Sequence, residues 1–224
     1  MNRWRDYILI LALAISLALI VRSYLVTAYK VPTGSMQPTL KPGDFIFASR
    51  IAYGVQVPFR SGVLNYSLPE HGDLVIFNYP QQPQVTYVKR VVGLPGDRVQ
   101  LIKGRLVINE IPAEYEKVVD QPKDNPNAEL FDIFEERTQG HSRKVIFQKR
   151  GAEDFGPFVV PPEEIFLLGD NRDASDDSRY WGTVPMAQVK GQVVLIWLSL
   201  DWQRKWGGQR YPSVRWDRVF LPIH

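Results

Sequence analysis

The sequence predicts a mostly β fold, built as a β core with a smaller β lobe inserted in it and preceded by one N-terminal transmembrane helix. Two observations carry the β assignment: 17 prolines and 16 glycines punctuate the chain, and the runs between them are rich in Val, Ile, Tyr and Phe. That pattern belongs to strands joined by turns rather than to long helices. A third observation, an uncharged apolar stretch near the N-terminus, sets the anchor apart. The 224 residues divide accordingly into 1–29 as cytoplasmic tip and anchor, 30–97 with 159–224 as the core, and 98–158 as the lobe.

Composition narrows the function classes. Hydrophobic content of 45% and charged content of 23% exclude both a disordered chain and a polytopic membrane protein. Without cysteine there is no disulfide, no thiol nucleophile and no thiolate metal site. The net charge of +3 is spread thinly, with no basic stripe of the kind that binds nucleic acid. No spacing suggests metal ligands, so no metal and no cofactor is expected.

Residues 8–21 carry no charge, and these 14 residues fall short of the ~20 that a full span needs. Tyr7 before them and residues 23–29 after them extend the apolar character, provided Arg22 snorkels to the interface. A secretory signal peptide is the competing reading, with Arg3 and Arg5 as its basic start and Val26-Thr27-Ala28 as a small-residue cleavage site. The apolar run is long for a signal core, whose upper limit is ~15 residues, and this favours a retained anchor. Either way the bulk of the chain is exported, and the positive-inside rule modestly favours an inside N-terminus.

Next comes Val31-Pro32-Thr33-Gly34-Ser35-Met36-Gln37-Pro38-Thr39-Leu40, where two prolines and a glycine impose an extended, sharply turned backbone. Such a turn can hold a small side chain in a fixed position. Ser35 is that side chain, although a lone serine here also reads as ordinary turn chemistry. Residues 45–48 form a strand with bulky aromatics on one side, 53–70 a long irregular excursion, and 74–77 a short buried strand. His71 reads as a turn residue. Residues 85–92 form a strand in which Lys89 and Arg90 face opposite sides, so that one charge points inward. A lysine in an apolar site loses stability as the ammonium, its pKa falls, and the neutral amine can take a proton from a serine hydroxyl. The plain alternative has both side chains snorkelling to water.

In the lobe, residues 99–102 and 105–108 pair as a hairpin about Lys103-Gly104, 120–127 is a surface loop and 144–148 one more strand. The most charged stretch follows an apolar strand at 164–168 and contains Gly169, Asp170, Arg172, Ser175, Asp177 and Arg179. Its Asp/Asn/Ser/Gly density marks a loop. That loop is either solvated with local ion pairs or a hydrogen-bonded network that positions a serine–lysine pair. Residues 193–198 form a final core strand. Beyond it Trp202, Trp206, Tyr211, Trp216 and Phe220 alternate with Arg204, Lys205, Arg210, Arg215 and Arg218, a mixture suited to a lipid headgroup interface or to packing on the core.

As a set, these residues resemble the bacterial type I signal peptidases, the membrane-anchored Ser-Lys endopeptidases that remove signal peptides. The matching segments are 32–40, 72–77, 87–97 and 169–185, in the family's order behind an anchor, and the likeness weakens across 98–158. The resemblance implies Ser35 as nucleophile, Lys89 as general base, and an oxyanion hole made of the Ser35 backbone N–H and the Thr33 hydroxyl. It implies that Ser175 hydrogen-bonds and orients Lys89, while Asp177 and Arg179, with Asp170, Arg172 and Gly169, brace the site. Val31, Pro32, Met36, Leu40, Tyr87 and Val88 would line shallow apolar pockets for small residues, as in Ala-X-Ala. The implied partners are preprotein signal peptides, the lipid bilayer and a nearby secretion translocon. The implied location is the bacterial cytoplasmic membrane, or an internal membrane such as a thylakoid, crossed once with the catalytic domain outside. Two other functions stay open: a self-cleaving Ser-Lys peptidase of the repressor type, and an exported β-rich binding protein with a discarded signal peptide.

Overall fold

A computed structural model describes residues 3–20, 25–56, 63–64, 67–118, 130–149, 153–205 and 211–223. Helix α1 (Arg3–Ile20) leads into β1 (Val26–Lys30), β2 (Asp44–Ser49), the short pair β3 (Val55–Gln56) and β4 (Val63–Leu64), β5 (Leu74–Tyr79) and β6 (Gln82–Gly93). The inserted region supplies β7 (Arg98–Ile102), β8 (Arg105–Ile108), β9 (Ile111–Pro112), β10 (Glu114–Lys117), β11 (Phe131–Thr138), β12 (His141–Gln148) and β13 (Phe155–Val159). The chain then returns through β14 (Glu164–Leu168), α2 (Ser178–Trp181), β15 (Val184–Pro185), β16 (Val189–Lys205), β17 (Pro212–Val214) and β18 (Leu221–Pro222). The mostly β expectation holds.

The main sheet is antiparallel and ordered β1-β2-β16-β5-β6-β14-β15, with β17 and β18 on β16. Alternation in β2 sends Ile46 and Ala48 into the core, and leaves Phe45 and Phe47 on the other face, each with its ring centroid 5.6 Å from that of Trp197. The strand expected at 193–198 is the middle of the much longer β16, and it is not the last, because β17 and β18 follow.

At the N-terminus most of the apolar run lies in α1, and the residues after it depart from expectation. No helix among the described residues is long and apolar enough to cross a membrane. The 18 residues of α1 rise ~27 Å, and its start carries Arg3, Arg5 and Asp6. The segment expected to lengthen the anchor instead enters the sheet, since Val26–Lys30 pairs with β2 in register Val26↔Ser49 to Lys30↔Phe45. Residues 21–24, the loop at 120–127, Trp206 and Arg210 lie outside the described residues.

The inserted region is less separate than its sequence implies. It forms a sheet ordered β13-β7-β8-β9 and a three-stranded sheet β10-β11-β12. Val99, Leu101, Leu106 and Ile108 from the first share one apolar cluster with Val92, Phe166 and Leu168 of the main sheet. The lobe therefore completes the core rather than hanging from it. On β6, Lys89 and Arg90 are each 3% exposed, so both faces of the strand bury a cation and neither side chain snorkels to water.

Candidate active site

The turn carrying Ser35 is held from two directions. Its apolar residues Val31, Met36 and Leu40 are buried with Ile46, Ile76 and Ile196. Val31 also exchanges backbone hydrogen bonds with the next turn, from its N–H to the Asp44 carbonyl and from the Gly43 N–H to its own carbonyl. On the other side Asn171 donates its backbone N–H to the Ser35 carbonyl at 3.0 Å and its side-chain amide to the Gly34 carbonyl at 3.1 Å. A rigid turn then presents the hydroxyl.

Lys89 reaches that hydroxyl from β6. Its Nζ lies 2.8 Å from Ser35 Oγ, and Thr33 Oγ1 lies 3.4 Å from the same oxygen. Burial pushes the Lys89 amine down to about 8, against the pull of Asp177, Asp176 and Asp170 and with a smaller push from Arg179. A serine hydroxyl in contact with an amine that is substantially neutral near pH 8 is the arrangement of a Ser-Lys nucleophile.

The charged loop closes around this pair. Asp177, fully buried, accepts from the Gly169 N–H at 3.0 Å and is held by Arg179 through Nε at 2.7 Å and Nη2 at 2.9 Å. Arg179 Nη2 also donates to the carbonyls of Arg172 and Ser175. Gly169 is required by contact, because a Cβ there would run into the Ser175 side chain and stand 2.6 Å from the Ser35 carbonyl oxygen. Ser175 is buried beside the nucleophile turn, but its Oγ has no hydrogen-bond partner among the described residues. The bond from Ser175 to Lys89 expected from the resemblance is not formed here.

Asp170 and Arg172 brace the site with partners that the sequence does not disclose. Asp170 takes a two-pronged ion pair from Arg90, with Nε at 2.8 Å and Nη2 at 2.7 Å, and accepts the Thr39 hydroxyl at 2.5 Å. Arg172 turns away from Asp170 toward Glu136 of β11. Arg90, Asn171, Thr39 and Glu136 are thus site residues that sequence reasoning missed. Asn171 stood inside the charged stretch, and its type, a short amide in an Asp/Gly run, was the available signal. His71 pairs with Asp97 at 2.7 Å and takes no part in the cluster.

A groove of about 580 Å³ runs past Ser35 and Lys89, lined among others by Val31, Pro32, Thr33, Ile76, Tyr87, Val88 and Asp176. Four of the six expected lining residues are there. Met36 and Leu40 are not; both are fully buried in the core under the turn, because the turn needs apolar weight to fasten it to the sheet.

A mostly β core that sets a buried lysine against a serine hydroxyl has the arrangement that a serine hydrolase of the Ser-Lys type requires. Residues 4–198 match the family model described as signal peptidase, peptidase S26, and this chain belongs to that family. Signal peptidase I of Pseudomonas fluorescens is 37% identical over 195 residues, covering 82% of this chain and 68% of the relative. That of Pseudomonas aeruginosa is 37% identical over 196 residues with the same coverage of 82% and 68%. Signal peptidase I of Buchnera aphidicola (subsp. Baizongia pistaciae) is 32% identical over 243 residues, covering 89% and 77%.

Proposed function

We propose that Ser35 and Lys89 are the nucleophile and general base with which this serine endopeptidase removes signal peptides from preproteins. The observation that carries the proposal is the 2.8 Å contact between Ser35 Oγ and a lysine Nζ that burial has brought to a pKa of about 8. Neutral Lys89 takes the Ser35 proton as the hydroxyl attacks the scissile carbonyl. The Ser35 backbone N–H and the Thr33 hydroxyl receive the developing oxyanion. Protonated Lys89 then gives its proton to the departing amine of the mature protein, and water activated by the same amine releases the signal peptide from the acyl-enzyme. Asp177, Arg179, Asp170, Arg172 and Gly169 keep the pair in place, and the Ser175 carbonyl serves only as an acceptor for Arg179.

Substrate binds extended. Residues 86–89 of β6 pair with β5 on one side, while pairing with β14 begins only at Arg90, so this stretch of β6 offers its other edge to the groove. Val31, Pro32, Tyr87 and Val88 make shallow apolar walls that accept small residues by shape, the basis of an Ala-X-Ala preference. The chain is attached to the membrane by α1, which exposes Tyr7, Ile8, Leu9, Ile10, Leu11, Leu13 and Ile15 without a polar face between them. Exposed Trp202, Trp216 and Phe220, with Lys30 lying 5.2 Å from the Trp202 ring, suit the headgroup layer. On this reading the catalytic domain works on the outer face of a bacterial cytoplasmic or internal membrane, near the translocon that delivers its substrates, and the exposed apolar residues of α1 are what support it.

Cleavage of a model preprotein by the detergent-solubilised Ser35→Ala and Lys89→Ala proteins tests the assignment. Both should be inactive with their circular dichroism intact. Activity retained by either variant would remove that residue from the mechanism.

A further inference from the structure

Glu136 on β11 is fully buried and sits at the junction of the lobe with the charged loop. Arg172 Nη2 lies 2.7 Å from its Oε1 and 2.6 Å from its Oε2. Arg143 of β12 reaches Oε1 through Nε at 2.8 Å, and the Tyr115 hydroxyl of β10 reaches Oε2 at 2.5 Å. Burial alone would raise the Glu136 carboxyl, but Arg172 and Arg143 outweigh it and hold the pKa at about 2, so the group is ionised under all working conditions. One carboxylate therefore gathers two buried guanidinium groups.

The same loop is tied to β12 along its backbone. Ile146 donates its N–H to the Asp170 carbonyl at 2.8 Å, and Gln148 donates its N–H to the Asp173 carboxylate at 2.6 Å. Residues 170–173 are thus fixed to the lobe by these backbone contacts and by the Arg172–Glu136 pair, and on their opposite side Asn171 grips the carbonyls of Gly34 and Ser35. Nothing else among the described residues neutralises Arg172 from the lobe side.

We propose that the inserted lobe is a positioning device for the nucleophile, in which Glu136 fixes Arg172 and through it the placement of Asn171 and the Ser35 turn against Lys89. Glu136 touches no substrate; it is a positioning residue. The proposal rests on Ser35 and Lys89 being the catalytic pair. Its consequence is that the lobe's effect falls mainly on kcat, since a small displacement of a reacting atom costs rate out of proportion to the distance moved, while the groove walls on β5 and β6, Ile76 and Val85 to Val88, lie outside the loop.

The test uses the full chain in detergent and a preprotein with an Ala-X-Ala site. Glu136→Gln removes the charge, and a triple variant, Glu136→Met with Arg143→Met and Arg172→Met, removes the whole ion cluster at similar volume, a change that buried ion clusters tolerate without loss of stability. Each is expected to show kcat per folded molecule lowered at least about 10-fold with KM within about 2-fold. Wild-type kcat in either folded variant would overturn the proposal. Should both melt below the assay temperature, a cycle of Tyr115→Phe and Asn171→Ala decides: a combined loss smaller than the product of the single losses supports one shared path, and a loss equal to that product overturns it. Lys89→Ala in the same assay keeps the two readings apart, since full activity there would sink the catalytic pair whatever the lobe variants do.

Discussion

Asn171 and Ser35 are joined backbone to backbone, N–H to carbonyl at 3.0 Å, and the Asn171 side chain adds a second bond to Gly34 at 3.1 Å. The first bond survives any substitution except proline; the second depends on the amide. Asn171→Ala should therefore loosen the nucleophile turn without releasing it. A net hydrogen bond of ~1 kcal/mol corresponds to roughly a 5-fold fall in kcat with KM little changed. Steady-state cleavage kinetics of the purified variant check this.

Gly169 leaves no room for a side chain. A methyl group there meets the Ser175 hydroxyl and the Ser35 carbonyl, so Gly169→Ala must push the loop or the nucleophile turn aside. Overpacking of this kind costs about 1–3 kcal/mol of stability, and the displacement falls on the reacting atoms. Activity should drop about 100-fold or more. A thermal melt alongside the cleavage assay separates the two effects.

Thr33 discriminates between a hydroxyl and a shape. Thr33→Ser keeps the donor near Ser35 Oγ and should stay within about 3-fold of wild type, whereas Thr33→Val keeps the volume and loses the donor. Removal of one oxyanion donor typically lowers kcat by about 100- to 1,000-fold. Equal activity in the two variants would take Thr33 out of the oxyanion hole.

The sequence made some of this legible and hid the rest for identifiable reasons. Ser35, Lys89 and the stretch from Gly169 to Arg179 are local signals: a broken turn, a cation on an apolar strand and a dense charged loop. Pairings across the fold are not local. Arg90 meets Asp170, and Arg172 meets Glu136, only because β6, β14 and β11 are brought together by sheet register and lobe docking. Met36 and Leu40 illustrate another limit, since an apolar residue next to a nucleophile can face a groove or a core with the same sequence pattern. β11 escapes notice because Asp132, Glu135, Glu136 and Arg137 give it the appearance of a loop. β1 escapes because its apolar residues read as a continuation of the anchor.

Burial of Lys89 also has a thermodynamic signature. The unfolded chain holds this proton with a pKa near 10.5 and the folded chain with one of about 8, so at pH values between the two the unfolded state binds more protons. Wild-type stability must then rise with pH across that window, by up to about 3 kcal/mol. Lys89→Met lacks the group, and groups common to both proteins cancel in the difference. The variant should be the more stable at pH 7, with its advantage shrinking as pH approaches 10.5. Denaturant unfolding at several pH values measures the difference directly, and a pH-independent difference would contradict the lowered pKa.

Activation of Ser35 in this mechanism depends on a neutral Lys89 amine. Its most direct test is the pH dependence of kcat/KM for preprotein cleavage by the wild-type protein, with Lys89→Ala measured in parallel from about pH 5 to about 10. A neutral Lys89 amine gives a single rising limb with its midpoint near pH 8, and a Lys89→Ala protein at least about 1,000-fold less active throughout. A flat profile for the wild type, or a Lys89→Ala protein that cleaves at the wild-type rate, would contradict this mechanism.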